Sequence, residues 1–197
     1  IPSRLVGSEM CIRDRGLGGI YVSDLSLPIP TNAPFIDLAS LGVNVGSIGD
    51  RNLGNSISSA SRDSIAFEQV GKIGLGDIDI SEDGNTLYVV NLAEKELVSI
   101  NIANYINAGI LPTANNVQTY DIPNPSCAGG SYRPFGVKVK SGKVYVGVVC
   151  SAETTQQRSD LKATVYEFTP SNNVFNQRVS FSLDYIKGAL TNFTGLD

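Results

Sequence analysis

Apolar residues in this chain come in short runs rich in Val, Ile and Tyr, and the runs are broken by SEDGN, PNPS, AGG, KSGK and TPSNN. Clusters of Gly, Pro, Asn, Asp and Ser between short β-branched runs predict strands joined by turns. The best helical window is IANYINAG at 102–109, which is short and stops at Gly109. Two segments repeat one design. GLGDIDI passes through SEDGN into TLYVVNL and ELVSINI; RPFGVKV passes through KSGK into VYVGVVC and, after a longer loop, TVYEF. Ile78 and Ile80 match Val137 and Val139 at an offset of 59, Leu87 to Val89 match Val144 to Val146 at 57, and Val98 with Ile100 match Tyr166 with Phe168 at 68. GGIYVSDL reads as the remnant of an earlier copy.

The alternation within a copy predicts its surroundings. In TLYVVNL both alternate sets are apolar, so both faces of that strand are expected to be covered. ELVSINI sets Val98, Ile100 and Ile102 against Ser99 and Asn101, the pattern of a half-exposed strand. Small antiparallel sheets with doubly buried middle strands are what propeller blades require, each blade lying between two others. A sandwich is the competing architecture. The expected fold is all-β: a partial propeller of about three blades over residues 16–197, a fragment of a larger one.

Composition narrows the function. With 42% apolar and 17% charged residues the chain has ordinary globular composition. The net charge of −4 and the lack of Lys/Arg runs speak against nucleic acid and membrane surfaces. No apolar stretch reaches the roughly 20 residues of a membrane span. There is no histidine, which removes His-ligated zinc and every Ser-His or Cys-His pair. IPSRLVGSEMCIRDR at 1–15 has no periodicity and resembles a sequencing adapter read as coding sequence, so it is set apart as non-native and expected to pack against nothing. Without it Lys plus Arg falls from 15 to 12 and Asp plus Glu from 19 to 17, a charge of −5, and two cysteines remain. The chain is expected to be truncated at its N-terminus, and TNFTGLD at its other end does not read as a propeller closure.

From residue 16 onward, VGKIGLGDIDISEDGNTLYVVNL at 70–92, RPFGVKVKSGKVYVGVVCSAE at 133–153 and LDYIKG at 183–188 resemble a β-propeller of large secreted or surface-attached bacterial proteins, which often carry B-type domains of the serine-aspartate-repeat adhesin kind. The resemblance implies an extracellular or cell-surface location and a chain continuing past LDYIKG. It implies no reaction.

The candidate sites are few. A calcium loop of the EF-hand register places Asp79, Ser81, Asp83 and Gly84 correctly, but puts Val90 where a bidentate Glu is required. Asp83, Gly84 and Asn85 are therefore read as a structural turn, with Gly and Asn supplying positive φ; the second copy turns at Ser141-Gly142-Lys143 with no acid. Gly74-Leu75-Gly76 lacks the third glycine and the helix of a phosphate loop, and eases the chain into an inner strand. Ser126 and Ser131 have no lysine placed beside them by spacing. Asp77 and Arg133 start the innermost strands, where propellers line a central channel, and are the candidate ligand residues; the competing reading is an ion pair or a backbone-capping contact. The loop SAETTQQRSDLK reads as a solvated insertion.

Cys127 and Cys150 are expected to be joined. A hairpin about Ser141-Gly142 brings its own flanks together and places both sulfurs at one end, a closure contributing about 3 kcal/mol. The expected function is a non-catalytic scaffold or interaction module with an unknown protein or carbohydrate ligand, no metal and no cofactor. The alternative is a propeller hydrolase or lyase using carboxylates such as Asp77 and Glu153 with a bound metal.

Overall fold

The computed structural model describes residues 3–7, 16–24, 31–49 and 63–185. Strands β1 (Ser3–Gly7), β2 (Gly19–Asp24) and β3 (Thr31–Asp37) form the first sheet. Helix α1 (Ser64–Gln69) leads into the second, made of β4 (Leu75–Ile80), β5 (Thr86–Asn91), β6 (Glu96–Asn101) and β7 (Val117–Asp121), with helix α2 (Ala103–Ala108) between the last two. The third holds β8 (Tyr132–Lys140), β9 (Lys143–Cys150), β10 (Lys162–Thr169) and β11 (Val174–Ser182). All pairings are antiparallel. The chain is all-β. Its three sheets are separate and none closes on itself, so the described residues show no propeller ring.

The doubly apolar strand behaves as its pattern requires. On β5, Leu87 and Val89 enter a core with Ile20, Phe35 and Leu38 of the first sheet region, while Tyr88 and Val90 enter a second core with Val137, Val144, Val146 and Phe168 of the third sheet. One strand thus ties two cores, because successive side chains point to opposite faces. Strand β6 departs from expectation: Leu97, Val98 and Ile100 are buried and Ser99 nearly so. The half-exposed position belongs instead to β7, which covers the edge of β6 and carries exposed Gln118, Thr119 and Asp121. Helix α2 falls inside the predicted window and ends on Gly109 at φ 69°.

Residues 3–7 contradict the expectation that the first fifteen residues pack against nothing, since β1 pairs with β2, Leu5 opposite Val22. The physical reason is that an open strand edge offers N–H and C=O groups to any extended backbone, whatever its side chains. The rest of 1–15, and all of 189–197, lie outside the described residues.

Candidate functional site

The seam between the second and third sheets gathers most of the residues singled out by sequence. Its inner side is formed by β4 and β8, two sheet-edge strands lying side by side. Both carry a bulge, between Leu75 and Ile78 in β4 and between Pro134 and Val137 in β8, which are the same positions of the repeat. Gly76 makes this approach feasible: a Cβ there would lie 2.9 Å from the carbonyl oxygen of Phe135. The GLG stretch thus serves strand contact.

Asp77 and Asp79 lie two residues apart on β4 and so point the same way. Each splits its carboxylate between two sheets. Asp77 accepts from Ile78 N at 2.9 Å with Oδ1 and from Val137 N at 3.1 Å with Oδ2. Asp79 accepts from Ile80 N at 2.9 Å and from Val139 N at 2.7 Å. The paired donors, Ile78 with Val137 and Ile80 with Val139, are repeat equivalents. Each aspartate therefore bridges two like backbone sites and satisfies N–H groups on two open edges, which otherwise template pairing with other chains. Glu82 extends the row, accepting from Ser141 N at 2.6 Å and Gly142 N at 3.2 Å. Burial pushes the Asp79 carboxyl up, but the Val139 N–H, the Lys138 ammonium at 2.9 Å and the Ile80 N–H outweigh it and hold the group below its ordinary 3.8.

At the corner, Asp83 accepts from Ser81 Oγ at 2.5 Å, Asn85 N at 3.0 Å and Asn85 Nδ2 at 3.0 Å. Ser81 Oγ accepts in turn from Thr86 N at 2.8 Å. These bonds hold the Asp83 carboxyl low, the Ser81 hydroxyl contributing most. Only Gly84 has positive φ, 74°; Asn85 contributes donors instead, whereas in the second copy both Ser141 and Gly142 are left-handed. An open cleft of about 350 Å³ lies beside this corner, with Tyr88 and Asp83 on one side and Val144 and Pro170 on the other. Burial raises the Tyr88 hydroxyl's pKa, with the charges of Tyr120 and Asp83 adding to it. Among the described residues no group of three or more His, Cys, Asp or Glu is placed to hold a metal ion.

The other end of the third sheet is closed covalently. Cys127 and Cys150 form a disulfide with Cα atoms 5.3 Å apart, as the hairpin argument requires: Tyr132 pairs with Cys150 across β8 and β9. Thr154 N and Thr155 N donate to Gly129 O, and Ser151 N donates to Ser131 O, so the start of the SAETTQQRSDLK insertion is tied down. Arg133 meets Glu153 at 2.8 Å, and the structure gives it no contact with Asp77. The alternative carboxylate pair thus finds Asp77 on Val137 N and Glu153 on Arg133. Lys95 shows what spacing could not: its Nζ lies 2.8 Å from Ser131 Oγ, 36 residues away. The same ammonium sits 4.6 Å from the Tyr132 ring centroid, within reach of the ring's negative face.

These features define an all-β protein of stacked antiparallel sheets, stapled by carboxylates along one seam and by a disulfide at one end. Relatives are found in the slime mould Dictyostelium discoideum. Colossin-C is 32% identical over 126 residues, covering 64% of this chain and 12% of Colossin-C. Colossin-D is 35% identical over 88 residues, covering 44% of this chain and 8% of the relative. Colossin-A is 25% identical over 126 residues, covering 62% and 1%. The chain thus spans at most 12% of the length of these relatives. No family model matches it. The assignment to a bacterial propeller of the serine-aspartate-repeat kind is corrected: these relatives are eukaryotic, and the three sheets stay separate. The residues behind that resemblance, 70–92 and 133–153, are inner strands and turns, whose pattern records sheet stacking and carries no lineage.

Proposed function

We propose that this chain is a non-catalytic scaffold and interaction module, built of blade-like sheets stacked in series, in a protein that works outside the cell. The observation that carries the reading is the use made of Asp77 and Asp79, the acids best placed for chemistry at the seam. Both oxygens of each are taken up by backbone N–H groups of two sheets. A carboxylate so engaged fixes geometry, and moving a proton or a metal through it would cost those bonds. The equivalent bulges of β4 and β8, side by side, support the propeller-like arrangement. The disulfide supports export, since such bonds persist in oxidising compartments.

The test is a screen of the oxidised chain for glycoside, ester and polyuronate cleavage with calcium, magnesium, manganese or zinc present, beside binding to protein and glycan panels. A scaffold shows no turnover in any metal. Metal-stimulated turnover lost in Asp77→Asn or Glu153→Gln would establish the hydrolase or lyase reading instead.

A further inference from the structure

The outward face of the third sheet repeats a face that is covered elsewhere in the same chain. In the second sheet, Tyr88, Val90, Leu92 and Leu97 receive the third sheet. The offset of 57 places Tyr145, Gly147 and Val149 on the first three, and the offset of 68 places Val165 on Leu97. These residues point away from Val144, Val146 and Val148, because side chains alternate along a strand. Among the described residues the face stands open: Val149 is 39%, and Val179 and Phe181 of β11 are 48% and 49% exposed.

The backbone leaves both sheets by the same exit. Ile122, directly after β7, donates its N–H to the carbonyl of Lys95, directly before β6, at 3.1 Å; Leu183, directly after β11, donates to Leu161, directly before β10, at 2.9 Å. Ile122 is 1% exposed because the sheet that follows closes over it, whereas Leu183 is half-buried and Tyr185 beyond it is exposed. The first turns of the two sheets differ in charge. Glu82 of the second sheet accepts from Ser141 N and Gly142 N of the sheet laid on it. The shorter turn of the third sheet has no acid and is flanked by Lys140 and Lys143, which lie opposite each other. Lys143 donates to Thr169 Oγ1 at 2.8 Å, and Glu167, the acid on this face, is engaged by Arg178 at 2.8 Å and the Tyr145 hydroxyl at 3.2 Å. Among the described residues neither lysine forms an ion pair.

We propose that this face docks a further sheet of the same repeat, the one the chain enters past Leu183, and that this sheet carries a carboxylate in its first turn to meet Lys140 and Lys143. The proposal rests on reading the chain as sheets stacked in series, and adds the partner and its charge. The incoming face is the one that Val137, Val139, Val144, Val146 and Phe168 turn to the second sheet. A second copy of this chain does not supply it, since its own version is buried there. First turns of stacked sheets lie together, as Glu82 with Ser141 and Gly142 shows, so an acid in the incoming turn falls within reach of the lysines. A basic turn laid on this one would bring like charges together without a counter-charge.

The transcript read past the codon of Asp197, and the longer chain it encodes, test this. The expected sequence is a further pair of apolar runs about a turn, patterned like 132–150, with Asp or Glu in that turn. A stop codon with no further repeat, or a repeat whose first turn carries Lys or Arg and no acid, would overturn the proposal whether or not the longer chain folds. In solution, site-resolved maleimide labelling of Val179→Cys should be about tenfold or more slower in the longer chain than in this one, with Phe67→Cys on the exposed α1 labelled equally in both. Lys140→Glu/Lys143→Glu in the longer chain should return the Val179→Cys rate toward that of this chain. Equal labelling of Val179→Cys in the two chains, or labelling that stays slow after the charge reversal, would contradict it. Neither arm reads turnover, on which the scaffold reading rests, so the two fail separately.

Discussion

The second and third sheets are two copies of one design placed in different surroundings. Strand β5 is buried on both faces, whereas β9, with the same alternation, buries Val144, Val146 and Val148 and leaves Val149 at the surface. Their inner strands differ as well. The second sheet carries Asp77 and Asp79, and the third carries Gly136 and Lys138 at the matching positions. The comparison shows that apolar alternation records how a copy is built to pack, while the polar residues on its inner edge record which neighbour it holds. Carboxylates are needed only on the copy whose edge must be joined to the next, and the lysine of the next copy turns back to meet one of them.

The sharpest way to break this comparison is to truncate one equivalent position in each copy. Leu97→Ala, fully buried in the seam, should cost about 2 to 5 kcal/mol in urea unfolding, and Val165→Ala clearly less. Equal losses would mean that the outer face of the third sheet is as well packed as the seam. Removing the disulfide with Cys127→Ser/Cys150→Ala should cost about 2 to 4 kcal/mol, read as a fall in the unfolding midpoint. A midpoint that does not move would show that the insertion holds its shape without the bond.

Asp79→Asn should cost about 1 to 3 kcal/mol, because the amide satisfies one edge and leaves a donor facing the other. The pH dependence has a definite sign. Asp79 is depressed in the folded chain, so its contribution is full above the ordinary carboxyl value of 3.8 and is lost as pH falls through the depressed one. Acid unfolding of Asp79→Asn should accordingly be shallower; an unchanged acid limb would contradict the assignment. The smallest effect expected is none: calcium should leave the melting temperature unchanged, since Asp83 is committed to Ser81 and Asn85. A calcium-dependent rise removed by Asp83→Ala would restore the metal reading.

What could be read from the sequence follows the same division. The two-sided burial of β5, the hairpin at Ser141-Gly142 and the sulfur pairing come from alternation and local turn chemistry, which short windows contain. Strands β7 and β11 escaped notice because outer strands are mostly wet: VQTYD and VFNQRVSFS show little sustained apolar period. The aspartate staples were out of reach for another reason. Their partners are backbone N–H groups 60 residues away, and a backbone donor leaves no signature in residue identity. The available clue was Asp-x-Asp at strand period, one position before each member of the repeat match. Lys95 beside Ser131 is likewise a product of topology alone.

Amide hydrogen exchange at Val137 and Val139 tests the central claim most directly. Both N–H groups lie on the open edge of β8, where the described residues give them Asp77 and Asp79 as acceptors. Slow exchange is expected at both in the unmodified chain, with protection falling at Val139 in Asp79→Ala and at Val137 in Asp77→Ala while Val146 stays slow. Fast exchange at both in the unmodified chain, or protection that survives loss of the carboxylates, would contradict the account of the seam.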